Sequence, residues 1–294
     1  MLIFRGEVIL QSLPLSPKII TSRLNSWCFS GMFYRMPGRP INRGVPMIDL
    51  QEIEGVTVVS LAHGKVNALD LEMCEAITAT FRDITAGPHR GVVFTGAGRS
   101  FSAGVDLWRI IDGGPDYVSK YIPALVDAFH AVFMCDKPLV AAVNGHAIAG
   151  GCVLASSCDY RIMSTGIGSI GIPEVLVGVP FPAAALELMS FAVGAQRARA
   201  AVFSGRLYRP QEALDLGFVD ELADPDTLLN YAVSHAARLA TTIPPDTFRA
   251  TKKQLRQAVV GNLNDDIDAE VVRIWQARAA DGWIRDYMNR TVRR

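Results

Sequence analysis

Residues 137–152 read Lys137-Pro-Leu-Val-Ala-Ala-Val-Asn-Gly-His-Ala-Ile-Ala-Gly-Gly-Cys152, and this stretch decides the fold class. Pro138–Val143 is a short continuous apolar run, the pattern of a strand buried on both faces. Asn144-Gly145 turns the chain, and small residues carry it on as a helix through Ser157. Related units lie on either side. Gly91–Thr95 is a buried strand followed by the Gly-rich loop Gly96–Gly104, and Asp159–Met163 is another, followed by a Gly-rich loop to Pro173. Upstream, Met47–Ile53 and Val56–Leu61 flank Gly55 as a hairpin. Asp70 then caps a helix marked by Met73, Ile77, Phe81 and Ile84, and Gly87-Pro88 stops it. Strands that alternate with helices define an α/β protein with largely parallel, right-handed crossovers.

Further along, the pattern predicts a helix from Asp116 to Met134, broken or started late by Pro123. Beyond Pro182 it predicts helices over 183–203, 210–216, 225–241, 245–259 and 265–290, with one short strand at Phe218–Leu222. Val271, Ile274, Trp275, Trp283, Ile284 and Tyr287 make apolar stripes that must be covered, either by this chain's own core or by a partner subunit.

The 294 residues carry 29 basic and 29 acidic side chains, and half are hydrophobic. That excludes wholesale disorder and argues against a protein that coats nucleic acid or an anionic membrane. The balance hides an asymmetry. Residues 1–46 hold six basic groups and one acid, Glu7, leaving 23 basic against 28 acidic side chains from Met47 onward. This Pro-punctuated leader reads either as an organelle-targeting peptide or as an irregular extension ahead of a natural start at Met47. The expected organisation is an extension over 1–46, a core over 47–205 and a helical region over 206–294. Five cysteines without a CxxC pair argue for free thiols in a reducing compartment. No apolar run reaches the ~18 residues that would span a bilayer.

Several motifs are weighed for chemistry. Gly166-Ile-Gly168-Ser-Ile-Gly171 matches GxGxxG, but no helix opens after it to hold a pyrophosphate. No zinc, P-loop or nucleophile-elbow pattern is present, so no metal is expected. Two loops suit catalysis better: Phe101-Ser-Ala-Gly-Val-Asp106 and His146-Ala-Ile-Ala-Gly-Gly-Cys152, each after a buried strand. Their small residues let a ligand approach backbone amides, and they serve tight packing of turns equally well. Glu174 stands in an apolar run, where desolvation would raise its pKa into the range of a general acid/base; a place at a loop's solvent edge would leave it ordinary.

Taken in order, Val66-Asn67-Ala68-Leu69, Phe101–Asp106, Lys137–Gly145, Ala149-Gly150-Gly151-Cys152, Cys158-Asp-Tyr-Arg161 and Pro173-Glu174 resemble the crotonase (enoyl-CoA hydratase/isomerase) superfamily. The resemblance implies a ββα-spiral core, an α-helical C-terminal trimerisation region, and an enzyme of fatty-acid metabolism, β-oxidation included, acting on acyl-CoA thioesters. It implies a homotrimer or dimer of trimers, with no cofactor beyond the CoA of the substrate, in the cytoplasm, or in mitochondria if residues 1–46 are a transit peptide. It also implies Glu174 as the catalytic group and the amides of Val105 and Gly150 as an oxyanion hole. Lys65, Asn67, Ala68, Leu69, Ala103, Gly104, Asp106, Leu107, Gly151, Val153 and Pro173 would then line the substrate, and Lys65, Arg99 or the Arg-rich C-terminal helix would meet the CoA phosphates.

Hydratases of this superfamily use two glutamates, and here the first position holds Val153. One carboxylate suits a Δ3,Δ2-enoyl-CoA isomerase. Two other readings stand beside it. One is a hydratase that borrows Asp112 or Asp116; the other is a non-catalytic acyl-CoA-binding homologue.

Overall fold

The computed structural model describes residues 47–261 and 265–291, so the expectations for the basic leader and Cys28 fall outside the described residues. From Met47 the chain lays down a strand, a shorter strand and a helix, turn after turn. The first turn holds β1 (Ile48–Ile53), β2 (Val56–Leu61), β3 (Ala68–Leu69) and α1 (Leu71–Ala86). The second holds β4 (Val92–Gly96), β5 (Ser100–Ser102), β6 (Gly104–Val105) and α2 (Leu107–Phe133). The third is β7 (Leu139–Val143), β8 (His146–Ile148) and α3 (Gly150–Ser156). The fourth is β9 (Tyr160–Ser164), β10 (Ile170–Gly171), α4 (Glu174–Val177), α5 (Ala183–Val193) and α6 (Ala195–Ser204). The remainder is β11 (Leu207–Tyr208), α7 (Pro210–Asp215), β12 (Glu221–Ala223), α8 (Leu228–Thr242), α9 (Pro245–Gly261), α10 (Asp265–Ala280) and α11 (Trp283–Thr291).

The larger sheet has the order β1-β2-β4-β7-β9-β12, antiparallel only between β1 and β2. The smaller sheet runs β11-β10-β8-β5, and β3 pairs with β6 alone. Each new strand of the larger sheet therefore joins one laid down a turn earlier, which winds the chain as a ββα spiral.

Alternation along the strands explains their uniformly apolar sequences. Val59, Leu61, Phe94, Leu139, Ala141 and Met163 face the main core, whereas Val58, Val93, Val140, Ala142 and Ile162 face a second cluster closed by Leu228, Ala232, Val233 and Ala236 of α8. A parallel sheet covered on both faces needs apolar side chains at every position.

The hairpin, the Asp70 cap and the three buried strands stand as expected; the Asp70 carboxylate accepts the Met73 amide at 2.8 Å. Elsewhere the structure corrects the sequence reading. α2 begins at Leu107, where Asp106 caps it, and its break lies at Gly114 (φ +62) rather than at Pro123. Pro115 disfavours helical geometry at the residue before it, and glycine takes the positive φ. α3 starts at Gly150, later than the Asn144-Gly145 turn, because β8 intervenes. The 183–203 and 265–290 segments each divide, at Gly194 (φ +83) and near Gly282 (φ +86). The short strand falls at Glu221–Ala223, where β9 offers its free edge, and Phe218 and Val219 are buried ahead of it.

The tail stripes are covered by their own chain in part, with Trp283 left 50 % exposed and Ile274 and Tyr287 half-buried. Val271, Trp275 and Ile284 are at most 4 % exposed within the main core, and the Trp275 indole donates to the Pro180 carbonyl at 2.9 Å. Four described cysteines are buried free thiols. Among the described residues no helix is long and apolar enough to cross a membrane.

Candidate active site

Three successive turns of the spiral meet where β6, α3 and α4 begin or end. Contact between the two Gly-rich loops is the first element. Gly104 has φ +80, and a Cβ there would stand 2.4 Å from the Ile148 carbonyl oxygen and 3.2 Å from the Gly150 nitrogen. Only glycine permits that approach. It brings Val105, the next residue, beside the start of α3.

The amides at this contact are unspent. Leu69 pairs with Val105, and its carbonyl accepts from the Asp106 amide at 3.0 Å. In a parallel ladder bonded this way, Val105 turns its own N–H away from β3. Gly150 is the first residue of α3, and first-turn amides have no partner within their helix. Ahead of it Ala149 adopts φ +54, ψ −125, held by its amide on the Gly171 carbonyl at 2.8 Å. Positive φ at a residue with a Cβ is strained backbone, of the sort that recurs at functional sites. Two fixed amides on adjoining loops can stabilise negative charge that develops on an oxygen between them.

Glu174 is the second element. β10 runs beside β8 with Gly171 opposite Ile148, so Pro173 and Glu174 continue alongside Ala149–Gly151. Glu174 is 7 % exposed, Ile172 and Val153 are fully buried, and Oε2 has no hydrogen-bond partner. Burial pushes the carboxyl up to about 8, with its own backbone amide pulling weakly the other way. The neighbouring Cys152 thiol is pushed up by burial and then by the Glu174 charge. No second carboxylate among the described residues contributes to the Glu174 shift; Asp112 and Asp116 lie exposed on α2. A carboxylate so placed can take up and return a proton near neutral pH.

The other candidates fall into three groups. Lys65 and Arg99 are exposed on the turns before β3 and β5. Ala68 and Leu69 form β3, the Ala103 amide donates to Val66 at 2.9 Å, and Asp106 caps α2 ahead of half-buried Leu107. Gly151 is buried in α3, and half-buried Pro173 precedes α4. Asn67 is 1 % exposed, and both ends of its side-chain amide are engaged within the protein. The GxGxxG stretch is explained by packing, since a Cβ on Gly171 would stand 2.4 Å from the Arg206 carbonyl oxygen. Sequence reasoning passed over Ser102, although it lies inside the quoted Phe101–Asp106 loop.

Two clefts, of about 440 and 330 Å³, open around Lys252 and Arg256 and include neither Glu174 nor the paired amides. Both cations sit 2.6 Å from the Asp159 carboxylate. Arg256 also donates to the Phe133 and Ser157 carbonyls at the C-terminal ends of α2 and α3, where helix dipoles favour positive charge. This network ties α9 to the core and is separate from the candidate chemistry.

The crotonase-type spiral and its conjunction of paired amides with a buried carboxylate define the class of protein. The model of the enoyl-CoA hydratase/isomerase family matches residues 51–279, and the chain belongs to that family. It is 30 % identical over 228 residues to the mitochondrial enoyl-CoA delta isomerase 1 of Rattus norvegicus, covering 76 % of this chain and 78 % of the relative. It is 35 % identical over 225 residues to a putative enoyl-CoA hydratase of Thermus thermophilus, covering 75 % and 85 %. The crystal structure of human mitochondrial delta3-delta2-enoyl-CoA isomerase matches it with a TM-score of 0.77 at 27 % identity, covering 83 % of this chain and 98 % of that one. Relatives named for both reactions stand at similar distance, so the choice between them turns on the chemistry of the site.

Proposed function

We propose that this protein is a Δ3,Δ2-enoyl-CoA isomerase with Glu174 as its one proton-transferring group. In this reading the thioester oxygen of a 3-enoyl-CoA accepts hydrogen bonds from the Val105 and Gly150 amides. The Glu174 carboxylate removes a proton from C2, and the charge spreads from the carbonyl oxygen to C4 as a dienolate. The same carboxyl then delivers its proton to C4, leaving the conjugated 2-enoyl thioester. One proton moves and nothing is oxidised, so no cofactor is needed.

The observation that carries this reading is the buried Glu174 carboxyl, whose Oε2 has no hydrogen-bond partner and whose shift no second carboxylate among the described residues shares, with apolar Val153 fully buried in α3. A hydratase needs a second group to orient water, and an apolar surround also keeps water from the dienolate. The test is to mix purified protein with 3-enoyl-CoA and follow the ultraviolet absorbance of the conjugated product. Glu174→Gln is expected to lose roughly 10²–10⁴-fold in kcat while still binding acyl-CoA. Faster hydration of crotonyl-CoA than isomerisation would support the hydratase reading instead. Tight acyl-CoA binding with no turnover of any enoyl substrate would support a binding protein.

A further inference from the structure

Ser102 occupies the middle of a hydrogen-bond chain that the reaction scheme leaves unused. It is fully buried, its Oγ donates to the Asn67 carbonyl at 2.7 Å, and the same oxygen accepts the Gly104 amide at 3.1 Å. Asn67 is a firm anchor for that chain. It adopts φ +51, and its Nδ2 donates to the carbonyls of Ala97, Ser100 and Phe101 at 3.2, 2.9 and 3.3 Å. Its Oδ1 accepts the His63 amide at 3.0 Å, and its own amide donates to the His63 carbonyl at 3.0 Å. A buried network with every member bonded is rigid.

The peptide at the far end of the chain is the one that needs holding. Gly104 has no side chain and takes φ +80, so its torsions are intrinsically soft. The next amide along is that of Val105. Donors that stabilise a developing charge act only when held within about 10–20° of the productive direction. The Ser102 hydroxyl accepts the Gly104 N–H and so holds the Ala103–Gly104 peptide, the one just before the peptide that carries the Val105 N–H.

We propose that Ser102 is a positioning residue: anchored on Asn67, its hydroxyl fixes the rotation of the Gly104–Val105 segment and so the aim of the Val105 amide at the thioester oxygen. This rests on the oxyanion-hole reading given under the proposed function. Ser102 touches no substrate and acts only through Gly104.

The experiment compares the full-length chain with Ser102→Ala and Ser102→Cys, using two readouts. One is the ultraviolet band of bound cinnamoyl-CoA, a conjugated thioester with no C4 proton to move, which shifts to longer wavelength when its carbonyl is polarised. The other is the split between kcat and KM on 3-enoyl-CoA. Ser102→Ala is expected to bind cinnamoyl-CoA within about threefold of the parent, lose at least half of the band shift, and lose about tenfold or more in kcat with KM little changed. Ser102→Cys, a weaker hydrogen-bonding group of similar shape, is expected to fall between the two. A full band shift and full kcat in Ser102→Ala overturn the proposal, as does a kcat that falls only with the folded fraction. If the alanine variant does not fold, the cysteine variant decides: a reduced shift supports the proposal and an unchanged one overturns it. Failure of both to fold makes the hydroxyl a folding determinant and also overturns it. A parent protein that binds cinnamoyl-CoA with no shift removes the oxyanion-hole reading itself, which separates the two failures.

Discussion

Gly104 and Ile148 meet backbone to backbone: a Cβ on the first would lie 2.4 Å from the carbonyl oxygen of the second. Gly104→Ala must therefore relieve a clash with rigid main chain while holding alanine at φ +80. Strain of this kind is expected to cost more than about 2 kcal/mol of stability. On the proposed mechanism, the separation of β6 from α3 should also lower kcat at least about tenfold, because it moves the two amides assigned to the thioester oxygen. Thermal melting and steady-state kinetics on the same preparation check both.

On the proposed mechanism, Glu174 sets the pH dependence of turnover. It removes a proton only as the carboxylate, and burial holds its pKa near about 8. kcat/KM is expected to rise with pH as a single ionisation and to level off above that value. The pH–rate profile of isomerisation measures it, and a plateau already reached at pH 6 would contradict the buried environment.

The same ionisation is linked to stability, with the opposite slope. The native carboxyl keeps its proton up to about 8, whereas the unfolded one, near its ordinary 4.5, releases it earlier. The native state therefore binds more protons across that window, and its stability falls as pH rises through it. Glu174→Gln lacks this loss. Its stability relative to the parent should grow from pH 5 to pH 8, by on the order of 4 kcal/mol in all, and stay constant beyond. Urea denaturation at several pH values reads the difference.

Among the described residues Asp159 is the one carboxylate bonded by both Lys252 and Arg256, which are 7 % and 5 % exposed. Asp159→Asn leaves two buried cations short of a counter-charge and is expected to cost about 3–5 kcal/mol. These groups lie outside the Glu174 surroundings, so kcat of the folded variant should change less than about threefold. A fall in melting temperature with near-normal kcat at low temperature is the expected pattern.

The sequence discloses elements that its own local chemistry determines. The β1–β2 hairpin, the Asp70 cap and the apolar strands each follow from local spacing, whereas the apolar run around Glu174 leaves burial and a solvent edge equally open, and the fold decides for burial. Features imposed from a distance leave no such trace. β10 and β11 are two residues long, too short for any period to register, and exist because β8 offers β10 an edge and β10 in turn offers one to β11. Ala149 takes a positive φ because the Gly171 carbonyl, a full turn later, holds its amide. Pro123 fits inside α2 while the break falls at Gly114, a preference that the Gly114-Pro115 pair does signal locally. Ser102 is one of two serines flanking Phe101, and only its bond to the carbonyl of Asn67, 35 residues earlier in the chain, singles it out.

The order of strands in the larger sheet also fixes the order in which a ribosome can complete this protein. Val105, Gly150 and Glu174 belong to successive turns, and 69 residues separate the first from the last. At about 5–20 residues per second, roughly 3–14 s pass between their syntheses. Each strand of the parallel set emerges after the neighbour it pairs with, so the amide-bearing turns can close while translation continues. The helix α8 that shields Val58, Val93 and Val140 is made only after Glu174. Until then the nascent chain carries an uncovered apolar sheet face, and it is at this stage that it most needs a chaperone's protection.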